Sequence, residues 1–285
     1  MKSIMISLAI LLITGLLALL IVIGTNTTET RYLVWYAFAA AFGIQWLAYI
    51  PACLLATEKF FDLTGSLTYL SICWGLIYLN NELDTAKVTV AILISLWCLR
   101  LGTFLVRRIL QDGEDKRFKD IKISGTRFFL TWTLQGSWVF LTMLSSICLL
   151  TSQKTIPPSD PVFIVGVLIW CIGFAIETIA DQQKNIFKNN PNNELPFINH
   201  GLWSRSQHPN YFGEIVLWTG LTVAATPYLV SLTWLGMISP IFVYFLLTRV
   251  SGIPLLDESA NRKWGHLESY REYTDNTPKL FPKWF

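Results

Sequence analysis

Runs of about 17 or more mostly apolar residues recur along the chain, at about 4–23, 33–56, 63–79, 88–106, 128–150, 162–180, 212–229 and 231–249. Each is long enough to cross the hydrocarbon core of a bilayer as a helix. The chain therefore reads as all-α, a polytopic integral membrane helix bundle of about seven to eight transmembrane helices. The charge content agrees: 14% of residues are charged, against about 25% in soluble domains. The 12 Trp and 10 Tyr suit interfacial aromatic belts. The first run follows Lys2 as a signal peptide would, but it lacks a small-x-small exit and reads as a retained helix.

The net charge of +3 and the absence of a basic block with interleaved aromatics argue against a nucleic-acid partner. The cysteines Cys53, Cys73, Cys98, Cys148 and Cys171 all fall in apolar stretches. Their wide spacing suits small buried residues, with no metal site or disulfide framework. With no internal repeat or linker, residues 1–285 read as a single membrane-embedded domain. Residues 1–32 form an extra N-terminal helix, and residues 250–285 a cytoplasmic amphipathic tail whose charges alternate with Trp and Tyr. With eight spans and the N-terminus inside, 18 of the 22 Lys and Arg fall on one side. That side is cytoplasmic by the positive-inside rule, and all three long polar segments share it.

The densest polar segment runs from Glu177 to Glu214. Glu177 and Asp181 are four apart on one helix face at the end of a span, with Lys184 three further on. Acids at a helix C-terminus oppose its dipole, so something other than helix stability accounts for them. His208-Pro209-Asn210 makes a rigid turn whose Asn can cap the next helix. Glu214 enters the first turn of the next span, where an ionisable group is costly. Arg205 at the bilayer edge suits a phosphate. Each member also has a plain reading: Asn210 as a cap, His208 as a turn hydrogen bond, Arg205 as a lipid contact. A second cluster, Glu58 to Ser66, either caps a helical hairpin or carries chemistry. Arg100 in mid-span needs a buried partner, such as Glu58, or an anionic ligand. Lys116, Arg117 and Lys119 stand where a phosphate could be reached. No P-loop, GxGxxG, HExxH, CxxC or GxSxG occurs, so a bound nucleotide would be held without a Rossmann unit.

The block Gly201-Leu202-Trp203-Ser204-Arg205-Ser206-Gln207-His208-Pro209-Asn210-Tyr211-Phe212-Gly213-Glu214, with Ala180-Asp181 upstream, resembles the C-terminal region of the steroid 5α-reductase superfamily. It is most similar to the branch known as DUF1295. Phe61-Asp62-Leu63-Thr64-Gly65-Ser66, Trp97 to Gly102, Ser251 to Pro254 and Tyr270 to Tyr273 extend the resemblance over most of the chain after about residue 40. The resemblance implies a membrane reductase that binds NADPH from the cytoplasmic face. It implies cofactor contacts at Asp181, Lys188, Arg205, His208, Asn210, Tyr211, Glu214 and Tyr273. It further implies hydride transfer to a C=C conjugated with a carbonyl, in a lipophilic substrate that enters from the bilayer. The host membrane would be a bacterial inner membrane or the endoplasmic reticulum, with membrane lipids as the other partners. The superfamily's substrate-polarising Gln-Glu pair finds its match at Glu58, preceded by Thr57 in place of Gln. Tyr69 and Tyr78 are the candidates for the accompanying Tyr. As catalytic acid, Glu58 would be desolvated and its pKa raised toward neutrality.

Two other readings stand beside this one. Isoprenylcysteine carboxyl methyltransferases carry a similar block from the His-Pro to the Glu and bind S-adenosylmethionine there. A non-enzymatic membrane scaffold or lipid-binding protein is the third.

Overall fold

The computed structural model describes residues 2–115 and 118–283, so Lys116 and Arg117 lie outside the described residues. All regular structure among the described residues is helical. Eleven α-helices follow in order: α1 Lys2–Gly24, α2 Thr28–Leu54, α3 Phe61–Leu79, α4 Thr85–Asp112, α5 Gly125–Thr142, α6 Leu144–Thr151, α7 Pro161–Asn189, α8 Pro209–Ala225, α9 Ile238–Phe245, α10 Ile253–Trp264 and α11 Glu268–Asn276.

Among the described residues, five helical stretches are long and apolar enough to cross a membrane, or six if the bent pair α5–α6 is one span. The count of seven to eight comes down for physical reasons. α3 is 19 residues long and dilutes its apolar content with Asp62, Thr64, Ser66 and Thr68. α8 is only 17 residues long, and the run at 128–150 bends by 57° at Met143. Five or six such stretches among the described residues still make the chain a multi-pass membrane protein.

The chain divides into two compact units. Unit 1 comprises Met1–Phe163 with Ala225–Ile238, and unit 2 comprises Ile164–Ala224 with Ser239–Phe285. In unit 1, sequence sets the helix ends. The Thr27 hydroxyl accepts the Thr30 amide at 3.2 Å and starts α2, and Asp84 accepts the Lys87 amide at 2.8 Å and starts α4. Both are N-caps, each worth about 1 kcal/mol. Gly113, at φ 78°, ends α4 in the left-handed conformation that only glycine adopts cheaply.

Between helices in lipid, apolar contact alone gives little preference, so small residues and internal hydrogen bonds decide which helices meet. Gln45 on α2 donates to Thr68 on α3 at 2.8 Å. The Tyr69 hydroxyl on α3 pairs with Thr142 on α5 at 2.5 Å. Below them, Phe118, Phe128 and Trp132 form a buried aromatic cluster with Phe60 and Phe61 packed against it.

Residues 225–238 come late in the chain but belong to unit 1, and polar contacts fasten them there. The Tyr228 hydroxyl donates to Asp84 at 2.5 Å, and Lys154 donates to the Pro227 carbonyl at 2.7 Å. Lys87 is fully buried; its ammonium donates to the Glu82 carbonyl and to the Ser152 carbonyl at 2.8 Å. Gly24 leaves room for the backbone of Leu232.

Tyr228→Phe removes a donor from a carboxylate that also caps α4. The expected loss is about 1.5–3 kcal/mol, the range for a hydrogen bond to a charged group, read as a lower melting temperature in detergent. Tyr32→Phe, at a position 73% exposed, should leave the melting temperature unchanged.

Candidate functional site

In unit 2, α7 and α8 touch backbone to backbone. Gly166 and Gly173 on α7 and Gly213 and Gly220 on α8 each sit where a Cβ would strike the facing main chain. The blocking atoms belong to Ala224, Leu217, Glu177 and Trp170 respectively. The glycines recur at seven-residue intervals on both helices, two helical turns on one face. Two helices can approach this closely only where side chains are absent.

The polar residues stand at the end of this contact. Glu177 is buried against Gly213. One turn further along α7, Asp181 accepts a hydrogen bond from the Asn210 side-chain amide at 3.2 Å. Residues 29 positions apart in sequence are thus paired because the glycines fix the spacing of their helices. The side-chain carbonyl of Asn210 is buried and receives no donor among the described residues. Tyr211 and Glu214 lie in the first turns of α8.

The connection back to α8 is pinned by side chains of α7. Gln183 accepts the Leu202 amide at 2.9 Å, beside Gly201 at φ 62°, where a Cβ would meet the Gln183 side chain. The Trp203 indole donates to the Ala180 carbonyl at 3.0 Å, packing with Ala180 and Ile198 in a small core. Lys184 lies over the Trp203 ring, 4.8 Å from its centroid, a cation–π geometry.

The tail is fastened onto this connection. Gln207 donates from its side chain to the carbonyls of Thr274 at 2.9 Å and Thr277 at 2.6 Å, and from its backbone to Pro278 at 2.9 Å. Ser206 donates to the Leu280 carbonyl at 2.8 Å, and the Tyr273 hydroxyl to the Trp203 carbonyl at 2.8 Å. His208 lies 3.1 Å from Asp257 of α10 and stacks on Tyr211; Asp257 also pairs with Lys279 at 2.6 Å. Burial pushes the His208 imidazole below its ordinary pKa, with Lys184 and Lys279 adding to the shift, and the Asp257 hydrogen bond only partly opposes it. His208 is therefore neutral at pH 7. Burial likewise raises the Tyr273 phenol, which stays protonated and serves as a donor. Arg205 is exposed and donates to the Lys283 carbonyl at 3.4 Å. Lys188 is exposed in the last turn of α7.

A cavity of about 260 Å³ opens in unit 2 between this connection and the tail. Lys184, Trp203, His208, Asp257, Trp264 and Tyr273 are among its lining residues. Of the residues expected from sequence, His208 and Tyr273 line it, and Asp181 and Asn210 are paired within three residues of lining positions. Lys184, singled out on the stripe with Glu177 and Asp181, lines it too, whereas Asp257, Lys263 and Trp264 were not among the expected site residues. The tail's alternation of charge and aromatics was their only sequence signal, and it pointed equally to a membrane surface.

The second cluster departs from expectation. Glu58 in unit 1 is buried and ion-paired to Lys122 at 2.8 Å, and it accepts the Asp115 amide at 3.0 Å. Burial pushes its carboxyl up, but Lys122 and the Asp115 amide together outweigh burial and hold it below the usual value. The expected acid with a raised pKa is therefore corrected: Glu58 is an ionised clamp on the loop before α5. Tyr69, about 12 Å along α3 from its start, spends its hydroxyl on Thr142. Tyr78 is 88% exposed at the far end of α3, about 25 Å from the start. The structure does not assemble Glu58 and Tyr78 into one site.

A multi-pass helical membrane protein with a polar, cavity-bearing unit built on a glycine-lined helix pair is the class these features define. The chain belongs to the DUF1295 family, described as a protein of unknown function, and matches it over residues 48–277. It is 24% identical over 167 residues to the probable O-methyltransferase ustE of Ustilaginoidea virens, covering 51% of this chain and 57% of that protein. It is 25% identical over 97 residues to the Delta(14)-sterol reductase of Arabidopsis thaliana, covering 30% of this chain and 23% of that protein. The chain thus spans little more than half of one relative and about a quarter of the other. No solved structure matches.

Gly213→Ala should cost about 1–3 kcal/mol, the range for overpacking, and lower the melting temperature. Gly43→Ala, at a position with open space around it, should not. For Glu58 the sign follows from a folded pKa below the unfolded one: its contribution is present above the unfolded value of 4.5 and fades as pH falls through the folded value. The gap in melting temperature between the parent and Glu58→Gln should be widest near pH 7 and narrow below about pH 4.5.

Proposed function

We propose that the chain is an NADPH-dependent membrane reductase of the steroid 5α-reductase superfamily. Its reaction is reduction of a C=C bond conjugated to a carbonyl in a lipophilic, steroid- or lipid-like substrate drawn from the bilayer. The observation that carries this reading is the Asp181–Asn210 pair beside the unit 2 cavity, with the buried Asn210 carbonyl oxygen lacking a donor. An amide or hydroxyl of the cofactor would satisfy that oxygen, so the residues present fit a nucleotide. The similarity to a sterol reductase supports the reading.

NADPH, when bound, supplies the hydride. The chain's own residues bind and orient. Asp181 and Asn210 hold polar atoms of the cofactor, neutral His208 keeps the turn before α8 in place, and Tyr273 ties the tail to Trp203. Arg205, Lys188, Tyr211 and Glu214, on the same connection and helix ends, are the further contacts this reading assigns to the cofactor. Glu58 fixes the loop before α5 and does not supply the proton.

A second reading, an S-adenosylmethionine-dependent methyltransferase, is favoured by the longer match to a probable O-methyltransferase. Purification in mild detergent, followed by mass spectrometry and nicotinamide fluorescence, separates the two. NADPH is expected to copurify or bind, and Asp181→Ala should lose it while remaining folded. S-adenosylmethionine in its place would overturn the reductase reading.

A further inference from the structure

The unit 2 cavity takes its walls from separate parts of the chain. The connection between α7 and α8 contributes Trp203, Gln207 and His208, and the tail contributes Asp257, Trp264 and Tyr273. The tail is docked with little apolar burial. Among the described residues, α10 buries Ile253 alone of its 12, and α11 buries Tyr270 alone of its 9. Helices this short are marginal by themselves, and segments with few buried apolar contacts open at the low end of the free-energy range.

Polar contacts hold the tail instead, and they concentrate on neighbouring residues of the connection. The Gln207 side chain donates to the carbonyls of Thr274 at 2.9 Å and Thr277 at 2.6 Å. Its backbone amide donates to Pro278 at 2.9 Å, and the Lys283 amide donates to the Arg205 carbonyl at 3.0 Å. Ser206 donates to the Leu280 carbonyl at 2.8 Å. At its other end the tail leaves α9 through a break. The Ser251 amide reaches back five residues to the Leu246 carbonyl at 3.0 Å, and Gly252, at φ −78° and ψ −92°, departs from helical geometry. A Cβ on Gly252 would strike the Leu247 carbonyl oxygen, so the chain turns at a residue without a side chain. A few element-terminal residues of this kind absorb the backbone rotation when a lid swings.

We propose that residues 253–283 are a lid over the unit 2 cavity, hinged at Ser251–Gly252 and latched by Gln207 to the carbonyls of Thr274 and Thr277. Opening it admits and releases the ligand, and Gln207 is a positioning residue that acts through the tail. The lid itself rests on these contacts; NADPH, the ligand used to follow it, rests on the reductase reading. A latch that holds the same closed state with and without ligand slows entry and exit equally, so it leaves affinity unchanged. A residue that touches the ligand changes mainly the dissociation rate.

The test uses the full-length protein in lipid nanodiscs. Without added ligand, Gln207→Leu and, independently, Ser206→Ala are expected to speed hydrogen exchange of the amides of residues 268–281 about tenfold, equivalent to about 1.4 kcal/mol of lost hydrogen bonding. Exchange within α8 should stay at the parent rate. In stopped-flow binding of NADPH, association and dissociation should both quicken about tenfold in Gln207→Leu, while Kd stays within about twofold. Parent exchange rates in the tail of both variants, or equal loosening of α8, overturn the lid. Unchanged NADPH rates, or a rise in dissociation alone, also overturn it and leave the reductase reading standing. If NADPH does not bind the parent, the reductase reading falls, and the exchange rates alone decide the lid.

Discussion

The backbone contact between α7 and α8 is the constraint on which the candidate site depends. Gly166, Gly173, Gly213 and Gly220 remove the side chains that would hold the helices apart. The interaxial distance is then set by main chain against main chain, and the next turn delivers Asp181 to Asn210 at 3.2 Å. A side-chain interface would allow repacking and drift; a contact between backbones has no rotamers to exchange. The polar pair is therefore placed by residues that have no chemistry of their own.

Unit 1 solves a different problem with different means. Its helices lie in a solvent as apolar as their own surfaces, so hydrogen bonds such as Gln45–Thr68 and Tyr69–Thr142 select which faces meet. At the ends of its helices the fastening becomes ionic. Lys87 sits fully buried among carbonyl oxygens, and Glu58 holds Lys122 and the Asp115 amide. Removing one partner from such a buried set strands the other's charge, at a cost of about 3–5 kcal/mol. Those positions are structurally unforgiving for that reason, whatever else they do.

The helical class was legible from the apolar runs alone, and so was the concentration of polar residues between Glu177 and Glu214, because hydrophobicity and charge are local properties of a sequence. The number of spans was harder to read. The turn from α5 into α6 at Met143 carries no proline or glycine to announce its 57° bend, and α3 is amphiphilic enough to pass for either a span or an interior helix. Glu58 was misread for a related reason. An acid at a helix end looks desolvated from its neighbours, but its partners Lys122 and Asp115 lie 64 and 57 residues away, and no local pattern reveals them. That Lys263 and Trp264 line the cavity escaped because it depends on where the tail docks, which is decided by Ser206 and Gln207 reaching its carbonyls.

The segment Ala225–Ile238 packs into unit 1 while the residues on either side of it belong to unit 2. Neither unit is therefore a continuous stretch of polypeptide. Domains generally complete themselves from the N-terminus as they emerge from the ribosome, but here the first unit waits for Tyr228 to reach Asp84. By then all of α7 and α8 has been synthesised. A fragment that holds all of unit 1 therefore carries α7 and α8 with it, and one that holds all of unit 2 carries residues 225–238, so no single cut separates the two units.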